Sequence, residues 1–294
     1  MNINDLNYFN QLIKRKNFSK VATDFGVTQP TITMAIKRLE QEFNATLFLR
    51  DRVHNELIVT PSGEQLAVHA QTILNALQLA HQELNHLTDQ HMVLGLPPII
   101  ENHYFPKVAA QLQQQGILEN IQTLVGGSVW LRNALRDGQA DVALLGSTEP
   151  LAYQTLVAEE FDRQPFRIFV SRQHPLAGRK RIYFSELKRE QFVLFNSSFV
   201  HNTAFNQLTR RNHFRPDVVF RANDTQVIMN LVAESVGVTF LTGIVDQHRA
   251  DVVPLALLDD EQPMFISSIV TRTSHVLTPM QQRVIQVLRA TLEA

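Results

Sequence analysis

The chain has 294 residues, enough for two or three folding units, and its 44% hydrophobic and 19% charged content excludes global disorder. Against 27 Lys and Arg stand 28 Asp and Glu, a net charge of -1, which excludes a bulk electrostatic grip on nucleic acid while leaving room for a local basic patch. Cysteine is absent, which removes disulfides, thiol nucleophiles and cysteine-held metals. No apolar run approaches the ~18–20 residues that span a bilayer. The polar, acidic start MNINDLNYFNQLIKRK does not read as a secretion signal, so a cytoplasmic location is expected.

In chain order, Leu6, Phe9, Leu12 and Ile13 predict a helix over Asp5–Lys16, and Val21, Ala22 and Phe25 a second over Ser19–Phe25. Gly26 ends it as a left-handed turn residue. A third helix opens at Thr28, expected to cap free N–H groups with its hydroxyl, with Pro30 in the first turn. Ile32, Ala35, Ile36, Leu39 and Phe43 carry it to Phe43. Two short helices around a tight turn form a helix-turn-helix. Leu47–Leu49 and Leu57–Val59 around the tip Val53–Glu56 read as a small hairpin, or wing, and Thr60–Pro61 starts a new helix.

That helix, from Pro61 to Thr88, carries Leu66, Ala70, Ile73, Leu77, Ala80, Leu84 and Leu87 in steps of four and three, a coiled-coil seam suited to a second copy of the chain. From Met92 the pattern alternates. Strands are predicted at Val93–Leu96, Ile121–Val125, Val142–Leu145, Phe166–Val170, Phe192–Phe195, Val218–Arg221, Val238–Leu241 and Ile266–Thr271. Helices fit Phe105–Gln115, Val129–Asp137, Val200–Arg211, Thr225–Glu234 and Met280–Leu292. This is an α/β fold with mostly parallel sheets, in two subdomains.

Catalytic motifs are missing: no nucleophile elbow, dinucleotide fingerprint or phosphate loop occurs. Gly126–Gly127–Ser128 could hold an anion on its N–H groups, but reads first as a strand-to-helix turn with a serine cap. His81, His86 and His91 are spaced to scatter around a helix, so no metal site and no cofactor are expected. His201, at a helix start, fits a ligand donor and a surface histidine equally.

The head carries the stronger signal. Thr28, Gln29, Pro30, Thr31, Thr33, Met34, Lys37 and Arg38 lie on or near the exposed side of the third helix, the side that enters a major groove in helix-turn-helix proteins. Gln can pair bidentately with adenine, and Lys37, Arg38, Arg50 and Arg52 suit phosphates. Up to residue 60, eight Lys and Arg face six Asp and Glu, an excess of about +2.

These residues resemble the LysR-type transcriptional regulators. The matching run is Leu6, Phe9, Asn17–Ala22, Val27–Thr33, Ile36, Leu39–Glu40, Leu47–Phe48, Arg50, Thr60 and Gly63. Lys16 stands where the family often has Gly, Val21 where it has the first of two Ala, and Asn44 where it has Gly. Phe105–Pro106, Leu135–Asp141, His174–Ala177 and Val236–Val238 are similar to landmarks of the family's effector domain. Within the family the chain is loosely similar to regulators of malate use and malolactic fermentation.

The resemblance implies a winged helix-turn-helix head (1–60), with Ser19 beside the recognition residues. A dimerising linker helix (61–91) would follow, and then a body like periplasmic binding proteins (92–294). The body would consist of subdomain I (92–161 and 265–294) and subdomain II (162–264), crossed near Phe161 and Met264. It implies binding to double-stranded promoter DNA, assembly into dimers and tetramers, no enzymatic activity, and a small effector in the cleft. By alignment of loops, the effector residues are Pro98, Ile99, Gly127, Ser128 and Ser147 facing Ser197, Ser198, Phe199 and His201. Hydroxyls and helix-start N–H groups favour a carboxylate, although Pro98 and Ile99 replace hydroxyl residues common in the family. Two other readings are a small-molecule-binding or enzymatic α/β protein whose head only mediates oligomerisation, and a constitutive nucleoid-type DNA binder.

Overall fold

The computed structural model describes residues 1–51, 56–86, 91–245 and 249–292, in two compact units, Met1–Asn85 and His86–Ala294.

The first unit opens with α1 (Ile3–Arg15), whose N-terminus is closed reciprocally: Asn2 accepts the Asp5 N–H at 2.9 Å and Asp5 accepts the Asn2 N–H at 3.1 Å. Next come α2 (Phe18–Asp24), capped by Asn17, and α3 (Gln29–Glu42). The wing is β1 (Phe48–Asp51) paired antiparallel with β2 (Glu56–Val59), Phe48 opposite Val59. Arg52 and the tip 53–55 lie outside the described residues. Leu6, Phe9, Leu12, Val21, Ile32, Ile36, Leu39 and Leu47 form the core of this unit. Lys16 (φ 50°) and Asn44 (φ 45°) both take left-handed backbone, the conformation glycine adopts most readily, so the turns persist where the family's Gly is replaced.

Helix α4 (Pro61–His86) starts as the sequence predicts. The Thr60 hydroxyl accepts the Gly63 N–H at 3.0 Å and donates to the Thr46 carbonyl at 2.7 Å. Gly63 is required at this join, because a Cβ there would stand 2.5 Å from the Leu47 carbonyl oxygen.

The second unit contains β3 (Met92–Leu96), α5 (Pro98–Gln114), β4 (Ile121–Val125), α6 (Ser128–Arg136), β5 (Val142–Ser147) and β6 (Leu156–Ser171). It continues through β7 (Arg181–Ile182), β8 (Gln191–Phe195), α7 (Val200–Arg211), β9 (Asp217–Ala222), α8 (Thr225–Ala233) and β10 (Thr239–Thr242). It ends with β11 (Val252–Leu257), β12 (Met264–Arg272) and α9 (Pro279–Leu292). The main sheet runs β4-β3-β5-β12-β6-β11-β7, with β10 also on β6 and β8–β9 forming a second sheet.

The sheets are mixed, where alternation had predicted mostly parallel ones. β3–β4, β3–β5, β7–β11 and β8–β9 are parallel, but β6 and β12 run antiparallel to each other and to β5, β10 and β11. Short apolar runs report strand character without reporting direction. β6 is shared: Leu156–Pro165 pairs with β12, and Phe166–Ser171 with β10 and β11. Its first half is rich in charge (Glu159, Glu160, Asp162, Arg163), which hid it from a hydrophobic reading.

Helix α5 starts at Pro98, well before the predicted Phe105, because Pro98 at the first helical position is pre-set for the helix and loses no N–H bond. A buried polar staple explains the Leu135–Asp141 landmark. Asp141 accepts the Val93 N–H at 2.8 Å, while Arg272 donates to the Leu135 and Ala140 carbonyls at 2.6 Å each and meets His275 Nδ1 at 2.9 Å. Among the described residues no helix is long and apolar enough to cross a membrane.

Candidate nucleic-acid interface and effector cleft

Helix α3 is amphipathic in the head. Ile32, Ala35, Ile36 and Leu39 are buried; Gln29, Pro30, Thr31, Met34 and Lys37 are exposed, as are Ser19 and Thr28 beside them, and Thr33 is half-buried. The Ser19 hydroxyl reaches Gln29 Oε1 at 3.4 Å, and Thr33 back-bonds to the Gln29 carbonyl at 3.2 Å. Among the described residues Lys37 makes no ion pair. Arg50 lies on β1.

One expectation for this face needs correction. Thr28 flanks α3, but its hydroxyl caps no N–H: it meets the Thr31 hydroxyl at 2.9 Å. Pro30 offers no N–H, and the Thr31 N–H is already bound to the Thr28 carbonyl at 3.0 Å. Arg38, its side chain 40% exposed, also braces the head: its guanidinium holds the fully buried Asp5 at 2.5 and 3.0 Å, a bidentate pair. Burial alone would push the Asp5 carboxyl up, but hydrogen bonds from Arg38 and Asn2 and the Arg38 charge outweigh it and hold the group below its ordinary value.

The seam on α4 divides. Leu66 and Ala70 belong to the head core, whereas Ile73 (43% exposed), Leu77 (38%), Leu84 (64%) and Ala80 stand open to solvent. Leu66 and Ala70 are therefore withdrawn from the seam, since the head itself covers them. Leu87 lies outside the described residues.

In the second unit the loops named from sequence converge in part. Gly127 and Ser128 open α6, and the Ser128 hydroxyl accepts the Gly146 N–H at 3.0 Å, fixing the end of β5. Gly127 is a close approach: a Cβ there would stand 3.0 Å from the Ser198 carbonyl oxygen on the loop before α7. Phe199 stacks on Phe195, centroids 4.3 Å apart, and Ser197 is exposed. Pro98 and Ile99 belong to the first turn of α5, not to a loop, and Ile99 is buried. Ser147 is the last residue of β5, not a loop residue beyond it; it is buried and its hydroxyl has no hydrogen-bond partner.

Two hollows lie beside α6, the first of them at the Gly127–Ser198 contact. One of about 630 Å³ is walled by Pro98, Glu101, Gly127, Trp130, Ser198 and Asp224. The other, about 480 Å³, is walled by Ser128, Arg132, Ser147, Glu149, Tyr153 and Thr203. Burial pushes the Glu101 carboxyl above its ordinary value. Glu101, Trp130, Arg132, Tyr153, Thr203 and Asp224 escaped the sequence reading. Arg132 had a signal: it sits four residues after Ser128, on the same helix face as the turn.

His201 is neither a surface histidine nor a paired donor. It is buried among Phe166, Phe195 and Phe265 at ring-centroid distances of 5.5, 5.0 and 5.3 Å, and neither ring nitrogen has a partner. Burial pushes its pKa down to about 3, so the ring is neutral. Among the described residues no three His, Cys, Asp or Glu side chains gather as a metal site. His81 is exposed on α4; His91 is exposed too, but lies beyond the end of α4 rather than on the helix expected to carry it.

Comparison with known proteins decides the family. Residues 3–64 match the bacterial regulatory helix-turn-helix protein of the lysR family, and residues 85–293 match the LysR substrate binding domain. The chain belongs to the LysR family. It is a LysR-type DNA-binding transcription regulator with a C-terminal effector-binding domain. It is 30% identical over 290 residues to a malolactic fermentation system transcriptional activator of Lactococcus lactis subsp. lactis (strain IL1403), covering 98% of each chain, in line with the malolactic-type similarity seen in the sequence. The fold is also that of HinK, a LysR family transcriptional regulator from Pseudomonas aeruginosa (TM-score 0.56, 20% identity, 99% of this chain and 98% of that one covered). The effector binding domain of QuiR in complex with shikimate aligns with TM-score 0.60 at 15% identity, over 68% of this chain and 96% of that one.

The His201 environment sets a pH dependence. The folded pKa lies below the unfolded value, so stability present above about pH 6.5 is lost as pH falls toward 3, because only the unfolded chain takes up the proton. Urea denaturation at pH 7 and pH 5 should show His201→Phe escaping about 2 kcal/mol of the wild-type loss. Equal losses in both proteins would show that the ring is not sealed.

Proposed function

We propose that this regulator works in the cytoplasm, has no chemistry of its own, and reads promoter DNA with the exposed face of α3 while a carboxylate effector in the body biases its shape. The reading assigns 1–60 to the DNA-binding head, 61–91 to a dimerising linker, and 92–294 to the effector domain. Subdomain I would comprise 92–161 and 265–294 and subdomain II 162–264, an assignment supported by the shared strand β6. The carrying observation is the display of Gln29, Thr31, Met34 and Lys37 opposite a sealed apolar stripe.

In this reading Gln29, Thr31, Thr33 and Met34 meet base edges. Ser19, Thr28, Pro30, Lys37, Arg50 and Arg52 lie along the phosphates, with Arg38 bracing α3 from within. Gly127, Ser128, Ser147, Ser198 and Phe199 border the effector. A carboxylate is favoured because the solved relative QuiR holds shikimate, and the regulatory domain of Synechocystis CcmR holds 2-PG. An effector that binds two arrangements of the body unequally shifts the balance between them. Ile73, Leu77, Ala80 and Leu84 would be covered by the same helix of a second copy.

On a promoter fragment bound by the wild type, Gln29→Ala should cost about 1–3 kcal/mol and relax specificity at one base position. Lys37→Ala should weaken all sequences alike and reduce the salt slope by about 1. Fluorescence anisotropy at fixed salt measures both, and unchanged affinity in Gln29→Ala removes α3 as the reading element. Leu77→Asp should convert dimers to monomers in sedimentation velocity, because it places a charge in the apolar seam; an unchanged profile removes α4 as the dimer contact.

A further inference from the structure

The two hollows beside α6 differ in charge. The larger one has two carboxylates on its wall, Glu101 and Asp224, and no basic residue. An anion placed there would meet repulsion. The smaller one has Arg132 together with Glu149. Arg132 is half-buried and held in place: its Nη1 donates to the Tyr153 hydroxyl at 2.6 Å and its guanidinium carbon lies 5.1 Å from the centre of the Tyr153 ring. Among the described residues that is its one hydrogen bond, and it has no acidic partner. A fixed guanidinium with free N–H groups matches a planar carboxylate.

A second feature stands on the same wall. Ser147 is 8% exposed, and its hydroxyl is buried without a hydrogen-bond partner. A buried polar group left unpaired costs stability, so its persistence beside a hollow calls for a partner that arrives from outside. Thr203, in the second turn of α7, lies on the opposite side of the hollow, so a ligand seated there touches both α6 and α7.

We infer that the Arg132–Tyr153–Ser147 hollow seats the carboxylate of a small hydroxy- or dicarboxylic acid, with Arg132 as the counter-charge and Ser147 pairing with a ligand oxygen. This rests on the reading of the body as a carboxylate-responsive domain and goes beyond it by choosing between the two hollows. Pro98, at the other hollow and at the start of α5, carries no hydroxyl, consistent with the anion lying elsewhere.

The test is isothermal titration calorimetry of the full-length protein with succinate, L-malate and shikimate at constant ionic strength. Emission from Trp130, the single tryptophan and two residues from Arg132, gives a second readout. Arg132→Met should weaken the acid that binds wild type best by at least about tenfold, as expected for losing a charge-assisted bidentate contact. Arg132→Lys, which keeps the charge, should fall between the two and covers the case in which Arg132→Met does not fold. Ser147→Ala should weaken binding several-fold, and Glu101→Gln in the other hollow should leave it within about twofold. Unchanged binding in Arg132→Met and Arg132→Lys, or a loss confined to Glu101→Gln, overturns this site while the carboxylate reading stands. Neither heat nor emission change with wild type and all three acids overturns both.

Discussion

The burial of one stripe on α3 governs the head. Ile32, Ala35, Ile36 and Leu39 fall at spacings that place them on one side of a helix, and all four are sealed in the structure. Burying a large aliphatic side chain is worth about 1.5–3 kcal/mol, so turning α3 about its axis would forfeit several such contacts at once. The polar face is therefore fixed outward by the same residues that hold the head together. The Arg38–Asp5 pair adds a directional lock from the side. A buried carboxylate with its cation removed would be strongly destabilising, so this contact constrains orientation as well as stability.

The body obeys a different constraint. β6 pairs with β12 along its first half and with β10 and β11 along its second, so one continuous strand ties both groups of strands together. Under the proposed two-subdomain division, motion between the parts would be limited to what this shared strand and the loops beside it permit. The approach of Gly127 to the Ser198 carbonyl brings the start of α6 against the loop before α7 and leaves a Cβ only a tight fit. Phe166, Phe195 and Phe265 form an aromatic cage around a neutral His201 in the core of the body.

Much of the head was legible because helix spacing and turn residues are local signals, and the ordered LysR-like signature reinforced them. The errors arose from partners distant in sequence or from competition for one donor. The structural part of Arg38 was illegible because its partner, Asp5, lies on another helix. Thr28 looked like a cap because the missing Pro30 N–H and the bound Thr31 N–H both had to be considered. Leu66 and Ala70 fitted the seam by spacing, yet the head reaches them first. In the body, strand positions were legible from apolar runs, while direction and the polar half of β6 were not. The walls of the smaller hollow were the least legible: Ser147 was named from sequence, but Arg132, Tyr153 and Thr203 join it from α6, a loop and α7.

The most direct measurement of the account is selection of random DNA fragments by the purified full-length protein, followed by sequencing. The account requires one enriched motif made of two inverted half-sites, with centres separated by a whole number of turns of about 10–10.5 base pairs, because paired recognition helices impose their two-fold symmetry on the operator. Recovery of fragments with no shared sequence, or of a motif lacking inverted symmetry, would contradict it.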